Sequence, residues 1–193
     1  TLDPLATGLL IICTGKFTKK IAEYQAFEKE YEGTIALGTT TPSFDLETPV
    51  NETFETSHVT EKMISSTAQT FIGTSQQVPP IFSAVKINGE RAYEKARRGE
   101  VAEMKSREIH IPSFDILKIA MPEVTFRLSC SKGTYVRTIA RDFGLRLNSG
   151  AHLSSLCRTR IGNFKLTEAL SIEEIEKLLA GSNALEQPVD EKR

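Results

Sequence analysis

The chain has 193 residues, a formal net charge of −1 and 39% hydrophobic residues. That is enough for one well-filled domain, and it excludes collagen-like and charge-dominated disordered chains. The three cysteines (Cys13, Cys130, Cys157) are odd in number and far apart, and the three histidines share no ligand spacing, so neither a disulfide framework nor a metal site is expected. No apolar run approaches membrane-spanning length and no secretory signal is visible, so a reducing cytoplasm is the default.

The predicted elements follow in chain order. Asp3 precedes a proline, and Pro4 suits the first position of a helix. Leu5, Leu9, Leu10 and Ile12 recur at helical spacing, which predicts a helix from about Pro4 to Cys13 with Asp3 as its N-cap. Gly15 breaks it. A second amphipathic helix is predicted from about Phe17 to Phe27, with Phe17, Ile21, Tyr24 and Phe27 on one face. Glu28 to Gly38 alternates as a strand, and Thr39 to Pro49 reads as a loop. Thr60 to Phe71 is a helix capped by Thr60 and ended by Gly73.

Pro79 and Pro80 forbid a helix in the next stretch, so Ser83 to Ile87 is a short strand, followed by a turn at Gly89 and a charged helix from Glu90 to Arg98. Ser106 to Ile119 and Glu123 to Cys130 read as antiparallel strands joined at Met121-Pro122. Gly133 permits a tight turn into a helix from Thr134 to about Leu147, whose free N–H groups at the start suit an anion. Ser171 and Glu174 form a capping box for a last helix to Ala180. The expected fold is α+β, a mixed, largely antiparallel sheet flanked by helices, in one domain over 1–180 with a polar tail over 181–193.

Charge is unevenly spread. Glu28 to Glu61 carries eight acidic residues against one lysine, whereas Arg127 to Arg160 carries seven basic residues against Asp142 alone. Lys86 to Arg107 holds seven basic and four acidic residues. Local basic faces of this kind can meet phosphates although the chain is nearly neutral.

The opening string Leu2-Asp3-Pro4-Leu5-Ala6-Thr7-Gly8 resembles the signature of the TruB family of pseudouridine synthases. Three later stretches resemble the same family in the same order: Lys29-Glu30-Tyr31 to Gly38, Val78-Pro79-Pro80 through Arg97, and Cys130-Ser131-Lys132-Gly133-Thr134-Tyr135-Val136-Arg137. The resemblance implies the pseudouridine synthase fold, with Ala151 to Gly162 as the last sheet strand. Family members carry a strand and a Gly-His turn ahead of the opening motif, and many continue into a C-terminal PUA domain. The resemblance therefore leads to the expectation of an N-terminally incomplete catalytic domain without a PUA domain.

The resemblance also implies the site residues. Asp3 is the catalytic carboxylate and Arg137 pairs with it. Tyr31 stacks on the target base, and Tyr135 and Leu156 line the uridine pocket. Asp45 lies close to the catalytic centre, although Pro42, Ser43, Phe44 and Glu47 around it depart from the family pattern. Lys19 and Arg158 are candidate RNA contacts, and the segment from Lys86 to Arg107 helps grip the RNA arm. The implied reaction converts uridine to pseudouridine at position 55 in the T-arm stem-loop of tRNA. No atoms are gained or lost overall, so no cofactor and no metal is called for. The expected partner is tRNA, with no membrane and no oligomer. Two other classes share parts of this pattern: a non-catalytic RNA-binding module, which needs the basic face but not Asp3, and a carboxylate glycosidase acting on free nucleosides.

Overall fold

A computed structural model of the chain describes residues 2–83, 85–87, 89–100 and 104–183. The main elements are β1 (Thr7–Gly8), α1 (Ile21–Ala26), β2 (Lys29–Leu37), α2 (Glu61–Gln69), β3 (Gly73–Gln77), α3 (Ala92–Arg97), β4 (Arg107–Ile111), β5 (Ser113–Ala120), β6 (Glu123–Cys130), α4 (Val136–Arg146), β7 (Ala151–Ile161) and α5 (Ile172–Asn183). A 3-10 turn, Gly15–Lys20, leads into α1. The sheet runs β1-β7-β2-β6-β5, with Phe164–Lys165 also paired to β7. Its β7–β2, β2–β6 and β6–β5 ladders are antiparallel, and β1 joins β7 in parallel. The α+β class and the largely antiparallel sheet are therefore present.

Period-two alternation decides which face is covered. Gly33, Ile35 and Leu37 of β2 and Val124, Phe126, Leu128 and Cys130 of β6 are buried. They meet Ile64 and Ala68 of α2 and Val136, Ile139, Ala140 and Phe143 of α4. Phe114 lies at the centre, with ring centroids 5.5 Å from Phe126 and 5.7 Å from both Phe71 and Phe143. Each of these rings contributes about 1.5–3 kcal/mol by leaving water. The opposite face is polar and carries cross-strand ion pairs, Arg127 to Glu32 at 2.7 Å and Arg160 to Glu28 at 2.7 Å.

The helix expected from Pro4 to Cys13 does not form. Pro4 and Leu5 make a turn in which Ala6 N donates to the Asp3 carbonyl at 3.0 Å, and Thr7–Gly8 then runs extended along β7. Gly8 has φ 104 and its α-carbon presses against the backbone of Arg158, an approach that any side chain would block. Backbone pairing to an open strand edge outcompetes a local helical pattern whose apolar residues have little to bury against, since only Leu9 of that set is buried.

The predicted strand Ser106 to Ile119 is two strands broken at Pro112, which has no N–H to give. Its first half, β4, pairs with β3, and its second half, β5, pairs with β6. The second predicted helix is present as the 3-10 turn plus α1, but Phe17 and Ile21 lie exposed while Tyr24 packs edge-on against Phe27 and Phe164. Thr60 caps α2 by accepting from Met63 N, and the Ser171–Glu174 capping box is present with both bonds made.

Candidate active site

Helix α4 packs on β7 and begins at Val136, at the edge of a cavity. There β2 and β7 present Tyr31, Leu156 and Arg158 to this cavity of about 780 Å³. That volume suits a nucleotide-sized ligand. The loop before α4 walls one side with Lys132 and Tyr135, and the turn after Leu2 brings Asp3 to another.

Arg137 is the hub. It is only 3% exposed, and its guanidinium is shared among four acceptors. Nε donates to Asp3 Oδ2 at 2.8 Å. Nη1 donates to the Ser43 carbonyl at 3.3 Å and lies 3.5 Å from Asp45 Oδ2. Nη2 donates to the Phe82 carbonyl at 3.1 Å. Asp45 is buried, whereas the Asp3 side chain keeps 35% of its surface open, so of the two carboxylates Asp3 is the one that faces the cavity. Charge-assisted bonds of this length fix a carboxylate's orientation as well as its position.

The loop that departs from the family pattern still delivers Asp45. Phe44 adopts φ 66, its carbonyl accepts from Leu153 N at 2.9 Å, and its ring lies under the Arg141 guanidinium at 4.7 Å. Asp45 bridges to Leu153, its Oδ1 accepts from Glu47 N at 2.9 Å, and Thr41 Oγ1 donates to its carbonyl at 2.6 Å.

Tyr31 and Arg158 are cross-strand partners on the cavity face. Burial pushes the Tyr31 phenol above its ordinary range, and a hydrogen bond from Arg158 pulls the other way. Arg158 Nε also donates to the Leu9 carbonyl at 2.8 Å, and Leu9 N returns a bond to the Arg158 carbonyl at 2.8 Å. One arginine thus ties the segment that carries Asp3 to the strand that carries Tyr31. Tyr135 is held from behind by Gln77, whose amide donates to the Tyr135 carbonyl at 3.1 Å and accepts from Tyr135 N at 2.8 Å. The Arg107 guanidinium lies 4.4 Å from the Tyr135 ring centroid.

Of the residues expected from the sequence, Asp3, Tyr31, Tyr135, Arg137, Leu156 and Arg158 gather around one cavity, with Asp45 behind Arg137. Lys19 lies exposed at the end of the 3-10 turn, outside the cavity lining. In the charged segment around α3, Lys95 pairs with Glu90 at 3.2 Å, and Arg98 pairs with Glu90 at 2.5 Å and with Glu100 at 2.6 Å. Their charge is answered locally, while Tyr93 reaches the cavity rim. Sequence reading missed the Gln77 clamp, the carbonyls of Ser43 and Phe82, and the Arg107 stack. Among the described residues no three His, Cys, Asp or Glu side chains gather as a metal cage, and no helix is long and apolar enough to cross a membrane.

Comparison with known proteins supplies the family. Residues 1–136 match the family model for the TruB family pseudouridylate synthase N-terminal domain, and residues 137–191 match that for the tRNA pseudouridylate synthase B C-terminal domain. The chain is 55% identical over 179 residues to tRNA pseudouridine synthase B of Flavobacterium johnsoniae, covering 93% of this chain and 78% of that protein. It is 51% identical to the protein of the same name from Phocaeicola vulgatus, covering 93% of this chain and 76% of that one. Among solved structures, a Cbf5-Nop10-Gar1 complex matches at a TM-score of 0.71 and 25% identity, over 97% of this chain and 46% of that one. A chain of an H/ACA RNP bound to a substrate RNA containing 2'-deoxyuridine shares the fold at a TM-score of 0.61 and 20% identity, over 91% of this chain and 42% of that one. Family models matched along nearly the whole length, together with an aspartate-arginine pair at the mouth of a nucleotide-sized cavity, assign the chain to the TruB family of pseudouridylate synthases.

Proposed function

We propose that this protein is a tRNA pseudouridine synthase, that its substrate is the uridine at position 55 in the T-arm stem-loop, and that Asp3 is its catalytic carboxylate. The observation that carries the reading is the Asp3–Arg137 pair at 2.8 Å, opening onto a cavity lined by Tyr31 and Leu156. The half-identical relatives named tRNA pseudouridine synthase B support the tRNA substrate. The protein works as a cytoplasmic monomer on this reading.

The reaction breaks the bond between uracil N1 and ribose C1′, turns the base, and forms a bond from C5 to C1′. The C5 hydrogen leaves as a proton and N1 gains one, so atoms balance with no outside reagent. The base must first leave the stack, at a cost of about a few kcal/mol. Tyr31 repays part of that cost by stacking and Leu156 by apolar contact. Asp3 serves either as a nucleophile or as the group that stabilises or deprotonates the sugar while the glycosidic bond is open. Asp45, buried behind Arg137, orients the guanidinium instead of touching the base.

The test is tritium release from a T-arm stem-loop labelled at uridine C5. Release by the protein and none by Asp3→Asn is the expected result. A protein that binds the stem-loop tightly and releases no tritium is an RNA-binding module, and the proposal fails.

A further inference from the structure

Five cationic side chains line the cavity, namely Lys29, Arg107, Lys132, Arg137 and Arg158, against the carboxylates of Asp3 and Glu47. Arg137 is committed to Asp3 and Asp45, and Arg158 to the Leu9 carbonyl and Tyr31. Lys29, Lys132 and Arg107 remain: the Lys29 ammonium donates to the Gln25 and Phe27 carbonyls, both at 2.5 Å, but among the described residues none of the three has a carboxylate at ion-pair distance.

The three converge on one turn. Lys29 is the cross-strand partner of Cys130, the residue from which the turn Ser131–Lys132–Gly133 departs. Arg107 reaches the same turn from β4, its Nη1 beside Gly133, with its guanidinium stacked on Tyr135. The arrangement crowds cations and polar N–H groups together. Arg107 Nε and Nη2 are buried with no acceptor among the described residues. The Lys29 ammonium is held below its ordinary range, first by burial and then by the positive charges of Arg158 and Lys132. Like charges crowded beside unanswered N–H donors call for an anion, and the cavity is the space from which one can arrive.

Resting on the reading of the cavity as a uridine site, we infer that Lys29, Lys132 and Arg107 form a subsite for an RNA phosphodiester, the linkage adjoining the flipped uridine. A phosphate there answers the three cations together and fixes the register of the nucleotide above Tyr31, as backbone contacts do in nucleic-acid complexes generally. Tyr135, clamped by Gln77 and overlaid by Arg107, then joins base pocket and phosphate subsite through one ring.

The experiment measures equilibrium binding of a T-arm stem-loop across a salt series, using the intact chain and the variants Lys132→Gln, Arg107→Gln and Lys118→Gln. Lys132 is exposed on its turn, so its substitution leaves folding intact, and Lys118 on β5 is an exposed lysine outside the cavity. Lys132→Gln is expected to weaken binding about tenfold at low salt and to lower the slope of log affinity against log salt by about 0.7, the value for one lost phosphate contact on a single strand. Lys118→Gln is expected to match the parent. A stem-loop carrying a single neutral methylphosphonate next to the target uridine is expected to bind parent and Lys132→Gln equally.

Unchanged affinity and slope in both Lys132→Gln and Arg107→Gln overturn the subsite while leaving the uridine reading intact if tritium release persists. A variant defect that survives every single methylphosphonate substitution near the target also overturns it. Failure of the parent to bind the stem-loop at all overturns the uridine reading, and the subsite with it.

Discussion

A guanidinium that is 3% exposed needs its charge and its N–H groups answered on every side. Arg137 meets that demand with two carboxylates and two carbonyls taken from three separate parts of the chain. The planar fork is what lets one side chain bond Asp3, Ser43 and Phe82 at once, and a lysine offers only a point charge. Arg137→Ala is therefore expected to cost about 3–5 kcal/mol of stability, because it strands a buried Asp45 beside an empty site. Arg137→Lys restores the charge but not the fork, so it should recover most of the melting temperature while tritium release stays at least about 100-fold down. Equal recovery of both by lysine would show that charge alone matters and that the orientation of Asp3 does not.

At the scale of elements, the sequence was most informative where local rules and packing agree. The β2 alternation, the Thr60 and Ser171 caps and the turn into α4 all depend on neighbours in the chain, and all are present. Asp3, Tyr31, Tyr135 and Arg137 were legible because the string around each resembles a family signature, not because their charge or spacing declared a role. What could not be read was set by distant partners. The Leu5, Leu9, Leu10 and Ile12 spacing is helical, yet the segment pairs with β7, a strand that lies about 150 residues later and whose edge no local pattern reveals. Pro112 splits a strand between two sheets for the same kind of reason, since its two halves choose different partners.

The β1 contact is short, two residues wide, and it depends on Gly8. With φ 104 and the Arg158 backbone against its α-carbon, Gly8→Ala is strained on both counts, by about 1–3 kcal/mol from the dihedral alone. Because the main core lies elsewhere, around Phe114, the expected effect is local. β1 lifts from β7, the Leu9–Arg158 bonds open, and Asp3 loses its place opposite Tyr31. Tritium release should collapse while the midpoint of thermal unfolding moves only slightly. A large fall in melting temperature would instead place β1 within the cooperative core.

At the scale of the whole molecule, the sheet works as a plate with one dry face, and the candidate site lies at the N-terminal end of α4 on that face. The same burial that builds the core therefore reaches into the cavity wall and is read out by pH. Cys130 ends β6 beside Lys29, and its thiol is pushed up from 9.0 to about 12, chiefly by burial, while the Tyr31 phenol is raised from 10.0 by the same cause. Both groups are neutral in the fold and ionise more readily once unfolded. The unfolded chain thus gives up protons first as pH rises. Their contribution to stability is complete below about pH 9, the ordinary range of a free thiol, and is lost progressively above it. Thermal midpoints should hold level from neutral pH to that point and then fall. Cys130→Ala should flatten the first part of the fall and leave the part due to Tyr31. Native thiol labelling at pH 8 provides an independent check, since Cys13 and Cys157 are partly accessible and Cys130 is buried. Rapid modification of Cys130 in the folded protein would mean that the β2–β6 end of the sheet opens, and with it the wall that Lys29, Lys132 and Arg107 share.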